Sequence, residues 1–112
     1  MSFESKEWVL IDDDSLVHMF WSMACKNKGA KLSCFFSFEE FSKSPTFSTL
    51  PKESPIYVDL NIESRHDGLG VVKKLGEVHG FNNIYLATGE DIPELQNSFP
   101  FLKGVCGKDP PV

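Results

Sequence analysis

The run Trp8-Val9-Leu10-Ile11 breaks off into three consecutive acids, Asp12-Asp13-Asp14. Four continuous apolar residues, branched or aromatic, suit a strand covered on both faces, because a strand with one wet face alternates apolar with polar. Two later segments repeat the pattern: Pro55-Ile56-Tyr57-Val58 runs into Asp59, and Ile84-Tyr85-Leu86-Ala87 runs into Thr88. These read as central parallel strands that each turn from apolar to polar at the carboxyl end.

The intervening segments supply helices. Leu16, Phe20, Met23 and Ala24 recur at helical spacing within Leu16 to Asn27, and Gly29 follows as a stop, which predicts the first helix. Lys31 to Phe36 is a second strand. A short helix over Phe38 to Ser42 starts behind Ser37 with Glu40 three residues on, a capping-box pattern. Lys43 to Ser54 is rich in Ser, Thr and Pro and reads as a loop. In Gly68 to Val78, Leu69, Val72 and Leu75 share one face of a third helix, capped by Asp67 and closed by Gly80, with Gly70 and Gly76 lowering its propensity. Ile92, Leu95 and Phe99 mark a short fourth helix that Pro100 ends, and Leu102 to Gly107 is a weaker fifth strand. Strand and helix alternate without a last helix, which predicts an α/β sandwich with right-handed crossovers.

At 112 residues the chain suits one domain with one core, and 41% hydrophobic content with ten Phe argues against disorder. A net charge of -5 without a clustered basic surface argues against nucleic-acid binding. No apolar run approaches the roughly 20 residues that span a bilayer, and Met1 to Glu7 is polar, so the expected setting is the cytosol. Cys25, Cys34 and Cys106 are widely spaced in apolar or strand-like surroundings and read as buried reduced thiols. His18, His66 and His79 offer no spacing that would complete a zinc site with them.

In an open parallel sheet, ligands bind beyond the carboxyl ends of the strands, where strand order reverses. Those ends carry Asp12-Asp13-Asp14, Asp59, Thr88 and, after the fifth strand, Lys108. In a 2-1-3-4-5 sheet order the first and third strands are neighbours, so Asp12, Asp13 and Asp59 converge. Three anions in one crevice repel unless a cation joins them, and an oxygen-rich set suits Mg2+.

This pattern resembles the receiver domain of response regulators in two-component signalling. The motifs are Val9-Leu10-Ile11-Asp12-Asp13-Asp14, Tyr57-Val58-Asp59-Leu60-Asn61, Asp67-Gly68-Leu69, Leu86-Ala87-Thr88-Gly89-Glu90 and Gly107-Lys108-Asp109-Pro110, five in family order across nearly the whole chain. The resemblance implies a single receiver domain over residues 1–112 with a doubly wound, flavodoxin-like sheet of order 2-1-3-4-5. It implies transfer of a phosphoryl group from the phosphohistidine of a sensor histidine kinase or phosphotransfer protein to Asp59. Asp13, Asp59 and the carbonyl of Asn61 would ligate Mg2+, with Asp12 acting through a coordinated water. Thr88 and Lys108 would bind phosphoryl oxygens, and the small Gly89 would leave the attacking face of Asp59 open. Beyond self-phosphorylation and acyl-phosphate hydrolysis no enzymatic turnover is expected. Asn61 and Glu90 stand where the family tunes water access to the acyl phosphate, and their pairing resembles chemotaxis-type receivers with a short-lived phosphoryl state.

The chain also departs from the family. Asp59 to Asp67 is one residue longer than usual and holds no Pro, so a looser loop is expected there. Asp109 separates Lys108 from Pro110, where the family often has a cis Lys-Pro peptide. A non-proline cis bond costs roughly 2.5 to 4 kcal/mol, so a trans or strained Lys108-Asp109 link is the alternative. Val105 stands three residues before Lys108, where many receivers carry a rotating aromatic ring. The sequence stops at Val112 before any fifth helix; the expectation is a fragment of a longer protein, or a partner or exchanged element over that face, with a homodimer among the options.

Two other functions fit parts of the pattern. A degenerate receiver would dock a protein without turning over phosphate. A phosphatase resembling the haloacid dehalogenase family would use Asp12 as nucleophile and Asp14 as general acid/base, but leaves Asp59 without a role.

Overall fold

The computed structural model describes residues 7–62, 64, 67–90 and 102–110. In chain order they form β1 (Glu7–Ile11), α1 (Ser15–Asn27), β2 (Lys31–Phe35), α2 (Phe38–Ser42), α3 (Pro45–Thr49), β3 (Ile56–Asp59), α4 (Gly68–Lys73) with a π-helical continuation (Lys74–Val78), β4 (Ile84–Ala87) and β5 (Leu102–Cys106). The helix expected around Ile92, Leu95 and Phe99 falls outside the described residues, as does His66.

The five strands form one parallel sheet in the order β2-β1-β3-β4-β5. The doubly wound α/β architecture expected from the three apolar runs is therefore what the chain adopts. Because β1 lies between β2 and β3, the winding reverses at β1, and the crevice at the carboxyl ends of β1 and β3 is the switch point.

The pleat divides the core in two. Val9, Ile11, Ile56, Val58, Ile84 and Leu86 face one side, where they meet Phe41, Val72, Leu75 and Phe81 from the helices and their connections. Trp8, Leu10 and Tyr57 face the other, under Trp21 of α1. Trp21 sets its edge on Tyr57 at 5.2 Å between ring centroids, and Tyr57 stacks on Tyr85 at 4.8 Å. Full burial of one such large side chain stabilises by about 1.5–3 kcal/mol, so these layers fix the strand register that aligns the polar ends.

Several local expectations need correction. The stripe that marks α1 in the sequence is not the one it buries: Leu16, Phe20 and Met23 are exposed, whereas Trp21 and Cys25 are buried. The helix is apolar on two sides, and the bulk of Trp21 decided which side meets the sheet. The supposed loop Lys43 to Ser54 contains α3. Its Ser44 Oγ accepts from the Phe47 amide at 3.3 Å, Pro45 starts the first turn where its missing N–H costs nothing, and Phe47 packs edge-on to Phe41 at 5.2 Å. Asp67 precedes α4 without a side-chain cap; its carboxylate instead accepts from the amides of Ile62 and Ser64. Of the cysteines only Cys25 is buried, and Cys34 and Cys106 are half-buried free thiols.

Other expectations hold. Ser37 caps α2 through its hydroxyl, and Glu40 reaches back to the Phe36 amide at 2.8 Å. Gly29 and Gly80 follow their helices at φ 75° and 76°, the left-handed conformation that ends a helix cheaply in glycine. Among the described residues no helix is long and apolar enough to cross a membrane.

Candidate functional site

Pairing of Ile11 with Val58 places the residues that follow, Asp12 and Asp59, side by side at the end of the sheet. Asp12 is fully buried and Asp59 is 5% exposed, while Asp13 is exposed at the rim. One carboxylate oxygen from each of Asp12, Asp13 and Asp59 lies within 4.8 Å of the others. The convergence expected from the strand ends is thus present. An all-carboxylate, hard-oxygen set with this spacing fits Mg2+ better than a soft or nitrogen-seeking metal.

Lys108 enters the same crevice from beyond β5. Its Nζ donates to Asp12 Oδ2 at 2.6 Å and to Asp59 Oδ1 at 2.7 Å. Burial pushes the Asp59 carboxyl above its ordinary range, and the neighbouring charge of Asp12 adds to this, outweighing the opposing pull of Lys108 and of the Asn61 amide. Burial lowers the Lys108 ammonium, but the hydrogen bonds and charges of Asp12 and Asp59 overcome it and leave Lys108 above the usual lysine value. The crevice therefore holds its cation firmly, yet remains short of positive charge.

Backbone geometry completes the site. Asp12 Oδ1 accepts from the Asp14 amide at 2.9 Å, and Asp59 Oδ1 accepts from the Asn61 amide at 3.2 Å. Asn61 also donates its side-chain Nδ2 to Glu90 Oε2 at 2.6 Å, which ties the loop after β3 to the loop after β4. The cluster of close oxygens contains Asp12, Asp13 and Asp59, and the recorded contact of Asn61 with it is through its N–H. Ala87 pairs with Asp59, so Thr88 stands one residue further on at the same end of the sheet. Thr88 is buried, its amide donates to the Cys106 carbonyl at 2.8 Å, and its Oγ1 accepts from the Glu90 amide at 3.0 Å. No cis peptide occurs among the described residues, so the Lys108-Asp109 link is trans, and Lys108 reaches the carboxylates from it.

Three supporting residues escaped the sequence reading as parts of the site. Trp21 Nε1 donates to the Lys108 carbonyl at 2.7 Å, and His18 Nε2 lies 2.6 Å from the Asp12 carbonyl while its ring stacks on Phe36. Both reach from α1 to residues on strand ends, and the Trp21 contact spans 87 positions, so no local spacing announces it. Gly68 had a signal, the Asp-Gly pair after the acceptor strand. Its amide donates to the Leu60 carbonyl at 2.7 Å, and a Cβ there would lie 2.0 Å from the Asp59 carbonyl oxygen. Only glycine lets the start of α4 pass this close to β3.

Asp14 is spent on α1, where Oδ1 accepts from the Leu16 amide at 2.9 Å. That role leaves it poorly suited to serve as the acid/base partner of Asp12. No family model matches the chain, and no curated protein matches it.

Proposed function

We propose that the chain is a phosphoacceptor receiver domain that takes a phosphoryl group from a histidine kinase or phosphotransfer protein in the cytoplasm. The observation that carries this reading is the meeting of Lys108 with both Asp12 and Asp59, three strand ends joined in one crevice. A carboxylate oxygen of Asp59 attacks phosphorus, the bond from phosphorus to the donor imidazole nitrogen breaks, and an acyl phosphate results. Asp12, Asp13, Asp59 and the Asn61 carbonyl would hold Mg2+, which when bound supplies positive charge to the phosphoryl oxygens. Lys108 exchanges its bond to Asp59 for one to a phosphoryl oxygen, where a compact ammonium acts as a point charge. Thr88 turns its hydroxyl from the Glu90 amide toward another oxygen. Asn61 and Glu90, already hydrogen-bonded, set the access of water to the product.

Incubation with Mg2+ and a small phosphoryl donor such as a phosphoramidate, followed by intact-mass measurement, tests this reading. One added phosphoryl group that Asp59→Asn abolishes supports it.

One observation favours a second reading, a docking domain without turnover. Lys108 already pairs with two of the three acids, so the cluster is partly neutralised without an ion. Absence of any adduct with every divalent cation would select it.

A further inference from the structure

The outward face of α1 is a continuous apolar stripe. Leu16, Phe20 and Met23 are each 57% exposed and Met19 is 48% exposed, on the side of the helix opposite the buried Trp21 and Cys25. Spacings of three, one and three residues place them on one helical face. A soluble surface rarely groups four large apolar side chains in this way without covering them.

We propose that this face pairs two copies of the chain, with the two α1 helices antiparallel about a two-fold axis that passes between Met19 and Phe20. The sequence is symmetric about that point in the property that matters. The axis sets Leu16 of one copy against Met23 of the other, and Met19 against Phe20, so apolar meets apolar along the whole stripe. It also sets Asp13, six residues before Met19, against Lys26, six residues after Phe20. Both are exposed, and Asp14 rather than Asp13 is used to cap the helix. A parallel arrangement would bring acid to acid and lysine to lysine, while the antiparallel one pairs opposite charges at both ends and opposes the helix dipoles. The single patch satisfies itself, as an isologous interface requires. Met19 and Met23 are flexible enough to adapt to the facing ring of Phe20. Four side chains per copy cover a few hundred Å2, well under the roughly 800 Å2 per partner of a standard stable interface, so the dimer is weak and depends on concentration. The inference does not depend on phosphorylation of Asp59.

Sedimentation of the full chain in metal-free buffer, from about 10 µM to about 1 mM, tests it. The expected result is an average mass that climbs from 12.6 kDa toward twice that value. Phe20→Glu and, separately, Met23→Lys hold the mass at the monomer throughout; because both side chains are exposed, an unchanged melting temperature shows that the fold survives. Lys26→Asp weakens association about tenfold or more, and adding Asp13→Lys to it restores the dimer. A monomer at every concentration overturns the proposal and leaves the stripe to a different partner. A dimer that survives Phe20→Glu and Met23→Lys overturns it in favour of another face, and failure of the charge exchange to restore association overturns the antiparallel arrangement.

Discussion

Lys108 Nζ stands 2.7 Å from Asp59 Oδ1, although β4 separates their strands in the sheet. The same ammonium bridges to Asp12, so Lys108 relieves the repulsion between the two most buried carboxylates. Lys108→Met leaves both acids facing each other in a poorly solvated crevice. Breaking a buried pair by removing one partner costs about 3–5 kcal/mol, and the partial exposure of Lys108 reduces this to about 2 kcal/mol. Urea denaturation at neutral pH without metal should show that loss, with an unchanged m-value.

The raised Asp59 carboxyl makes a prediction with a definite sign. A group whose folded value is raised favours the folded state below its ordinary value and loses that contribution as pH climbs through the raised one. Metal-free Asp59→Asn, which cannot ionise, is therefore more stable than the parent at pH 7, by on the order of 1 kcal/mol. The difference shrinks to nothing below about pH 4, where Asp59 is protonated in both states. Thermal melts across this range check it; equal stability at pH 7 counts against an ionised, poorly compensated Asp59. Lys108 behaves oppositely on the alkaline side, since its contribution is present below the ordinary lysine value and is lost above it.

Gly68→Ala probes the backbone packing under the site. The added Cβ would lie 2.0 Å from the Asp59 carbonyl oxygen and 2.8 Å from Leu60 Cα, both backbone atoms. Overpacking of this kind costs about 1–3 kcal/mol, and the rigid neighbours place Gly68→Ala near the upper figure. Gly70→Ala is the control, because nothing lies within 4 Å of its added methyl. It should leave stability unchanged or raise it by a few tenths of a kcal/mol through helix propensity.

The strand ends could be read in advance because burial on both faces writes each central strand as an unbroken apolar run, and the first polar residue marks where it leaves the core. Asp12, Asp59 and Thr88 were found in this way, and the parallel order followed from the helical segments between them. The orientation of α1 could not be read so directly. Leu16, Phe20 and Met23 recur as regularly as Trp21 and Cys25, and only the packing of Trp21 on Tyr57 chooses between the faces. Composition misled at α3, where Ser44 and Pro45 look like loop residues and serve as cap and first turn. The ties from Trp21 and His18 join residues through space, and spacing along the chain carries no trace of them.

The most direct test of Asp59 as the phosphoryl acceptor is chemical trapping. After incubation with Mg2+ and a small phosphoryl donor, borohydride reduces an aspartyl phosphate to homoserine, and peptide sequencing by mass spectrometry locates it. The account predicts homoserine at position 59 alone, dependent on the divalent cation and lost in Lys108→Met. Homoserine at position 12, or none at any position while the protein remains folded, would contradict it.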